Sequence, residues 1–212
     1  VVGNKIFQTA TRTYTVGNLH YGINLTDATN GVGFTVNNNT IGYSSSSQTG
    51  TYTMTGSSSR FVGIQVSASA GSSLPSDVCN IKGNKISGFS LTTTSGGSAN
   101  TGVFTGIYIV GSGTINVGTT DANNIGSTSV VDAIKVVGSS NGTTNPFLNG
   151  ISTMGSGNYT IKNNIIGGLT SEGSALSTAL LFVKGIIVNT GYPTIEMSNN
   201  TIGGNLANSL RA

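Results

Sequence analysis

Six acids, one histidine and one cysteine are the first side chains to weigh for acid–base, nucleophilic or metal chemistry. The acids are Asp27, Asp77, Asp121, Asp132, Glu172 and Glu196. Hydrolysis of a glycosidic bond would need two of them side by side, one protonating the leaving oxygen and one acting as base or nucleophile. No D-x-D run offers a calcium loop. His20 lacks the partners that a metal site or a catalytic triad requires. Cys79 stands alone, so no intramolecular disulfide can form, and its apolar alternating surroundings suit a small buried side chain better than a nucleophile. The sequence thus assigns no catalytic residue and no metal ligand, and implies no cofactor.

Charge narrows the partners. Nine basic residues face six acids, and charged residues make up only 7% of the chain. The basic residues are scattered from Lys5 to Arg211 with no run or stripe, so the electrostatic footprint of a nucleic-acid partner is missing. The longest apolar stretch, "ALLFVKGIIV", is broken by Lys184 and Gly185 and falls short of the roughly 18 residues of a membrane span. Low net charge with abundant Leu, Ile, Val and Phe argues that the chain folds.

What positions these side chains is a repeat. "GNKIF", "NNNTIGY", "GNKISG", "KNNIIGG" and "SNNTIGG" are variants of one motif, anchored on Ile6, Ile41, Ile86, Ile125, Ile166 and Ile202. The anchors are 35, 45, 39, 41 and 36 residues apart. Two positions before each stands an asparagine: Asn4, Asn39, Asn84, Asn123, Asn164 and Asn200. Upstream lies a short alternating segment whose apolar positions are Phe34 and Val36, Cys79 and Ile81, Tyr159 and Ile161, and Ile195 and Met197. In the fourth copy three extra residues precede the asparagine, and Ile115 and Val117 take these places. A second signature, "YGINL", "VGIQV", "TGIYIV", "NGIST" and "KGIIV", puts Ile23, Ile64, Ile107, Ile151 and Ile186 on one face of a strand.

Period-2 alternation of β-branched residues predicts strands throughout. "SEGSALSTALLFVKG" comes nearest to a helix, and its Gly and Thr content argues against one. One unit has too few apolar side chains to close a core, whereas stacked units bury a continuous column. The predicted fold is all-β: a parallel β-helix (solenoid) of about six coils in a single domain over residues 1–212, joined by long Ser/Thr/Gly-rich connections. A β-sandwich of short strands is the rival architecture. Each recurrent asparagine is expected at a tight turn, where it tolerates left-handed dihedrals, with its amide stacked on the asparagines above and below.

The pattern "GIxV … YTIxNNxIGG" resembles right-handed parallel β-helix repeats. It looks most like those of large, repetitive cell-surface proteins of gram-negative bacteria exported by the type IX route, including adhesin-like proteins. The resemblance covers the whole chain and implies a right-handed coil, an extracellular location and a structural or adhesive role. The units are longer than the coil of about 22 residues found in β-helical polysaccharide lyases. The excess contains strand-like pieces, "RTYTVGN", "TYTMT" and "AIKVV", which predict hairpins or an extra wall.

Set on this frame, the acids stand 14, 9, 4, 34, 30 and 6 residues before their next anchors. No two share a register, so stacking is not expected to gather a carboxylate pair. Lys82 and Lys162 flank Asp121, and a cross-coil ion pair is geometrically open. Tyr108 alternates with inward Ile107 and Ile109 and shares its register with Gln65, which makes Tyr108 and Gln65 a candidate sugar- or protein-contact face. The same residues also read as ordinary strand positions facing solvent. Runs of T-x-T at Thr13 and Thr15, at Thr51, Thr53 and Thr55, and at Thr92 and Thr94 raise a flat hydroxyl array of the ice-binding kind. Both termini fall in mid-pattern, and Val1 is not preceded by a basic-then-apolar leader. The chain is therefore expected to be a window on a longer polypeptide with adjacent repeats. The functional expectation is a non-catalytic structural or adhesive module whose partners are surface glycans or surface and matrix proteins. Carbohydrate binding or processing is the first alternative and ice binding the second.

Overall fold

The computed structural model describes residues 1–26, 31–56, 59–70, 75–94, 100–138, 147–173, 182–189 and 191–212. Among them the chain forms 22 short strands and one turn of 3-10 helix at Pro75–Asp77. The first turn of the coil runs β1 (Lys5–Ile6), β2 (Arg12–Tyr14), β3 (Leu19–Thr26) and β4 (Thr35–Asn37). The second runs β5 (Thr40–Ile41), β6 (Tyr52–Gly56), β7 (Arg60–Ala68) and β8 (Cys79–Lys82). The third runs β9 (Lys85–Ile86), β10 (Phe89–Thr93), β11 (Phe104–Gly111) and β12 (Thr114–Val117). The fourth runs β13 (Asn124–Gly126), β14 (Ile134–Gly138), β15 (Phe147–Met154) and β16 (Asn158–Lys162). The fifth runs β17 (Ile165–Gly167), β18 (Leu169–Gly173), β19 (Phe182–Val188) and β20 (Thr194–Ser198). β21 (Thr201–Ile202) and β22 (Leu210–Arg211) begin a sixth.

Every fourth strand joins the same sheet, giving four parallel walls in the order β1-β5-β9-β13-β17-β21, β2-β6-β10-β14-β18-β22, β3-β7-β11-β15-β19 and β4-β8-β12-β16-β20. This is a parallel β-helix solenoid. The "extra wall" is the second sheet. "RTYTVGN", "TYTMT" and "AIKVV" contribute β2, β6 and β14, which pair in parallel with their equivalents in the next coil and not back on themselves as hairpins. Stacking decides between the two, because each piece finds its own copy one coil away. Of "SEGSALSTALLFVKG", Ser171–Gly173 lies in β18 and Phe182–Gly185 in β19, while 174–181 lie outside the described residues.

The register brings like residues together. Ile41, Ile86, Ile125 and Ile166 stack in the first wall and are fully buried. Ile64, Ile107 and Ile151 do so in the third. In the fourth wall Ile115 sits between Cys79 and Tyr159, and Val117 between Ile81 and Ile161. The three extra residues of that turn therefore leave the register intact. The second wall adds Tyr52, Phe89, Ile134 and Leu169. At its junction with the third wall the rings of Phe61 and Phe89 lie 4.8 Å apart, and those of Phe89 and Phe104 5.1 Å apart. Tyr159 brings a phenol inward in the fourth wall, and burial is tolerated because its hydroxyl donates to the Gly111 carbonyl at 2.6 Å.

Candidate functional site

The six asparagines of the motif form one continuous hydrogen-bonded ladder at the corner between the fourth and first walls. The side-chain amide of Asn4 donates to Asn39 Oδ1 at 3.0 Å, and Asn39 to Asn84 at 3.0 Å. Asn84 donates to Asn123, Asn123 to Asn164 and Asn164 to Asn200, each at 2.9 Å. The second amide hydrogen goes to a backbone carbonyl of the preceding turn: Asn84 to Val36, Asn123 to Ile81, Asn164 to Val117 and Asn200 to Ile161. The same Oδ1 atoms also accept backbone N–H groups, as in Asn39 to Asn84 at 3.0 Å and Asn84 to Asn123 at 3.1 Å. Asn39, Asn84, Asn123 and Asn164 are fully buried, yet both donors and the acceptor of each interior amide are used.

One detail of the turn is corrected. The left-handed residue is not the ladder asparagine but the one before it: Asn38 at φ 55°, Asn163 at 59° and Asn199 at 56°, with Gly3 and Gly83 in the equivalent places. The strained position carries the residues that tolerate it, Asn or Gly, and so frees the next asparagine to turn its amide inward. At the end of the third turn Ala122 precedes the ladder residue, and Gly118 at the start of the insertion takes the positive φ instead.

The outward register of Tyr108 holds, since it pairs with Gln65 and Ser152 on neighbouring strands. Its exposure does not. Tyr108 is only 7% exposed, and its hydroxyl donates to Met154 Sδ at 3.2 Å. Asn100, ahead of β11, lies across this face. The Asn100 carbonyl accepts from Ser152 Oγ at 2.6 Å, and the Asn100 amide meets the same Met154 sulfur at 3.1 Å. Gln65, part-buried, donates to Thr26 Oγ1 at 3.3 Å. Alternation alone gives the side of the sheet on which a residue stands; it does not reveal that a connection folds over that side.

The acids also depart from expectation. Asp132 and Glu172 have no common register with respect to the motif, yet both reach Arg211, Asp132 at 3.3 Å. Lys135 pairs with Glu172 at 2.8 Å, and Thr170 donates to Asp132 Oδ1 at 2.5 Å. Distance from the anchor missed this because connections of different length lead back to the same second wall. Two cations lie against the two carboxylates. Lys82 pairs with Asp121 at 3.4 Å, as the spacing allowed, whereas Lys162 pairs with Glu196 at 2.5 Å. Asp27 lies outside the described residues. Among the described residues no three His, Cys, Asp or Glu side chains come together as metal ligands.

Cys79 is fully buried in the fourth wall, and burial pushes its thiol above the ordinary range against two opposing backbone hydrogen bonds. His20 lies in β3 against the ring of Tyr14, centroids 4.2 Å apart, and burial lowers its pKa. Of the threonine runs, Thr13 and Thr55 meet hydroxyl to hydroxyl at 3.0 Å. Further along the second wall Thr92 faces Val137, and Val137 faces Glu172, so the hydroxyl column is not continued.

A concavity that the sequence did not signal lies at the corner between the first and second walls. There the second turn carries a connection over 42–51 and the fourth a connection over 127–133, while the third crosses with only Ser87 and Gly88. The two long connections stand on either side of the short one and leave a cleft of about 380 Å³, lined by Tyr43, Lys85, Ser87, Ser127 and Asp132 among others. The signal available beforehand was the unequal length of equivalent connections, which places the gap but not its lining. Comparison of the chain with protein-family models, with curated proteins and with solved structures gave no match.

Proposed function

We propose that this chain is a non-catalytic structural and adhesive module of an extracellular bacterial surface protein, working as a stiff shaft that holds variable connections at fixed spacing. The observation that carries the reading is the unbroken amide ladder from Asn4 to Asn200, in which every turn is tied to the next by side chains as well as by four parallel walls. Low charge and a single buried thiol suit a protein that relies on stacking rather than disulfides. The pairing of Asp132 and Glu172 with Arg211 and Lys135 favours a non-catalytic reading, because both carboxylates already have cationic partners. Type IX export and an adhesin-like parent are parts of this proposal, taken from the resemblance of the repeat.

Two experiments test it. Incubation with a panel of polysaccharides should release no more reducing ends or unsaturated products than the heat-denatured protein does; sustained turnover would refute the non-catalytic role. Antibodies against the module should label intact cells of the organism that makes it, and labelling only after lysis would refute surface display.

A further inference from the structure

We propose that the cleft over the third turn binds a neutral saccharide, with the Tyr43 ring as its stacking surface and Asp132 and Lys85 as hydrogen-bonding groups. The inference goes beyond the shaft reading and does not depend on where the shaft is displayed. The cleft's size falls at the lower end of the range for small-molecule sites, enough for a short glycan terminus.

The ring is held in place. Tyr43 adopts φ 65°, a left-handed conformation that a bulky side chain enters only at a cost of about 1–2 kcal/mol. It lies against Gly88, where a Cβ would stand 2.5 Å from its Cδ1, so the glycine of the short connection leaves the room the ring needs. Among the described residues, four other than Asn and Gly have positive φ: Tyr43, Gln48, Asp132 and Tyr192. Three of these four belong to the two connections that flank the cleft. Strain concentrated there is consistent with side chains positioned for contact and not merely for folding.

The polar groups favour a neutral ligand. Lys85 Nζ donates to Gln48 Oε1 at 2.7 Å and lies 5.4 Å from the Tyr43 centroid. Asp132 uses Oδ1 for Thr170 and Arg211, while Oδ2 has no partner among the described residues. The lining carries one ammonium, Lys85, and one carboxylate, Asp132, with no excess of either sign, so an ionic ligand gains no net attraction there. Hydroxyl groups can instead add to the remaining ammonium hydrogens and to Oδ2. The flanking connections are also preorganised: Ser45 bonds to Ser47 at 2.8 Å and to Thr49 at 2.7 Å, and Ser127 Oγ accepts the backbone N–H groups of Ser129 and Val130 at 3.1 Å.

The test is a titration of the 212-residue chain, isotope-labelled, with glucose, galactose, mannose, N-acetylglucosamine and their disaccharides, and with sialyllactose and glucuronic acid as charged probes, followed by amide NMR shifts. The expected result is saturable shifts confined to 43–51, 85–89 and 127–133. They should weaken at least tenfold in Tyr43→Gly, which removes the ring while relieving the strained φ, and in Asp132→Asn. Tyr43→Gly should keep the thermal midpoint, so loss of binding cannot be laid to unfolding. No shift with any sugar, shifts elsewhere on the molecule, preference for sialylated or uronic-acid probes, or binding undiminished in Tyr43→Gly would each overturn the proposal. None of these outcomes bears on the shaft.

Discussion

Gly106 in β11 and Ile125 in β13 are packed so closely that a methyl group on the glycine would stand 2.6 Å from Ile125 Cγ2. The same relationship joins Gly22 to Ile41, Gly63 to Ile86, Gly150 to Ile166 and Gly185 to Ile202. The two signatures of the repeat are therefore the two halves of one contact. The glycine of the third wall leaves the space of a side chain, and the anchor isoleucine that opens the next turn fills it. Gly106→Ala should lower stability by about 2–3 kcal/mol, the upper part of the range for overpacking. The partner double variant Gly106→Ala/Ile125→Ala should not recover the loss, because the added methyl would still lie 2.7 Å from the Gly150 carbonyl. Urea denaturation of both variants measures this.

A break in the amide ladder should cost more at its centre than at its end. Asn123→Ala strands one amide hydrogen and the backbone N–H of Asn84 together with Asn164 Oδ1, all in the interior, while the Ile81 carbonyl keeps the Gly118 N–H. Each buried group left unpaired costs about 1–3 kcal/mol, so the variant should lose at least about 3 kcal/mol. Asn4→Ala, at the exposed first rung, should lose about 1 kcal/mol or less. Equal losses at the two positions in chemical denaturation would show that the rungs do not act through burial.

His20 predicts the direction of the acid response. Burial lowers its pKa, and its Nε2 has no hydrogen-bond partner among the described residues, so the native state resists protonation. The unfolded chain binds the proton first, near its ordinary value of about 6.5. The contribution is therefore complete above that pH and is lost as pH falls through the lowered native value. Thermal midpoints measured across this window should decline for the native chain and decline less for His20→Phe.

Cys79 supplies an intrinsic reporter of opening. Its thiol is fully buried and its pKa is raised, so the thiolate is scarce twice over. Modification by a thiol reagent at neutral pH should be slow in the native protein and fast in denaturant. Prompt labelling without denaturant would mean that the fourth wall opens locally.

The walls and corner asparagines were legible because a solenoid writes the same contact several times. Asn84, Asn123 and Asn164 could be aligned on the page before they were aligned in space. What was illegible came from connections that differ between turns. Tyr108 was read on the correct side of its sheet, but the carbonyl of Asn100 that helps cover that side lies in a connection whose length differs from those ahead of β7 and β15. Asp132 and Glu172 were separated by counting from the anchor, although the second wall, reached through connections of unlike length, returns both to Arg211. Periodicity reports what recurs, and the candidate site at Tyr43, Lys85 and Asp132 is made of what does not.

The three-residue insertion of the third turn has a wider consequence. Between Val117 and Asn123 the chain makes a detour, Gly83 N–H still finds the Asp121 carbonyl at 3.0 Å, and Ile125 remains level with Ile86 and Ile166. A bend can thus be lengthened without its neighbours registering the change. Such a backbone can swap the attachments at its bends one at a time, so that new surfaces can be tried while the scaffold beneath them stays as it was.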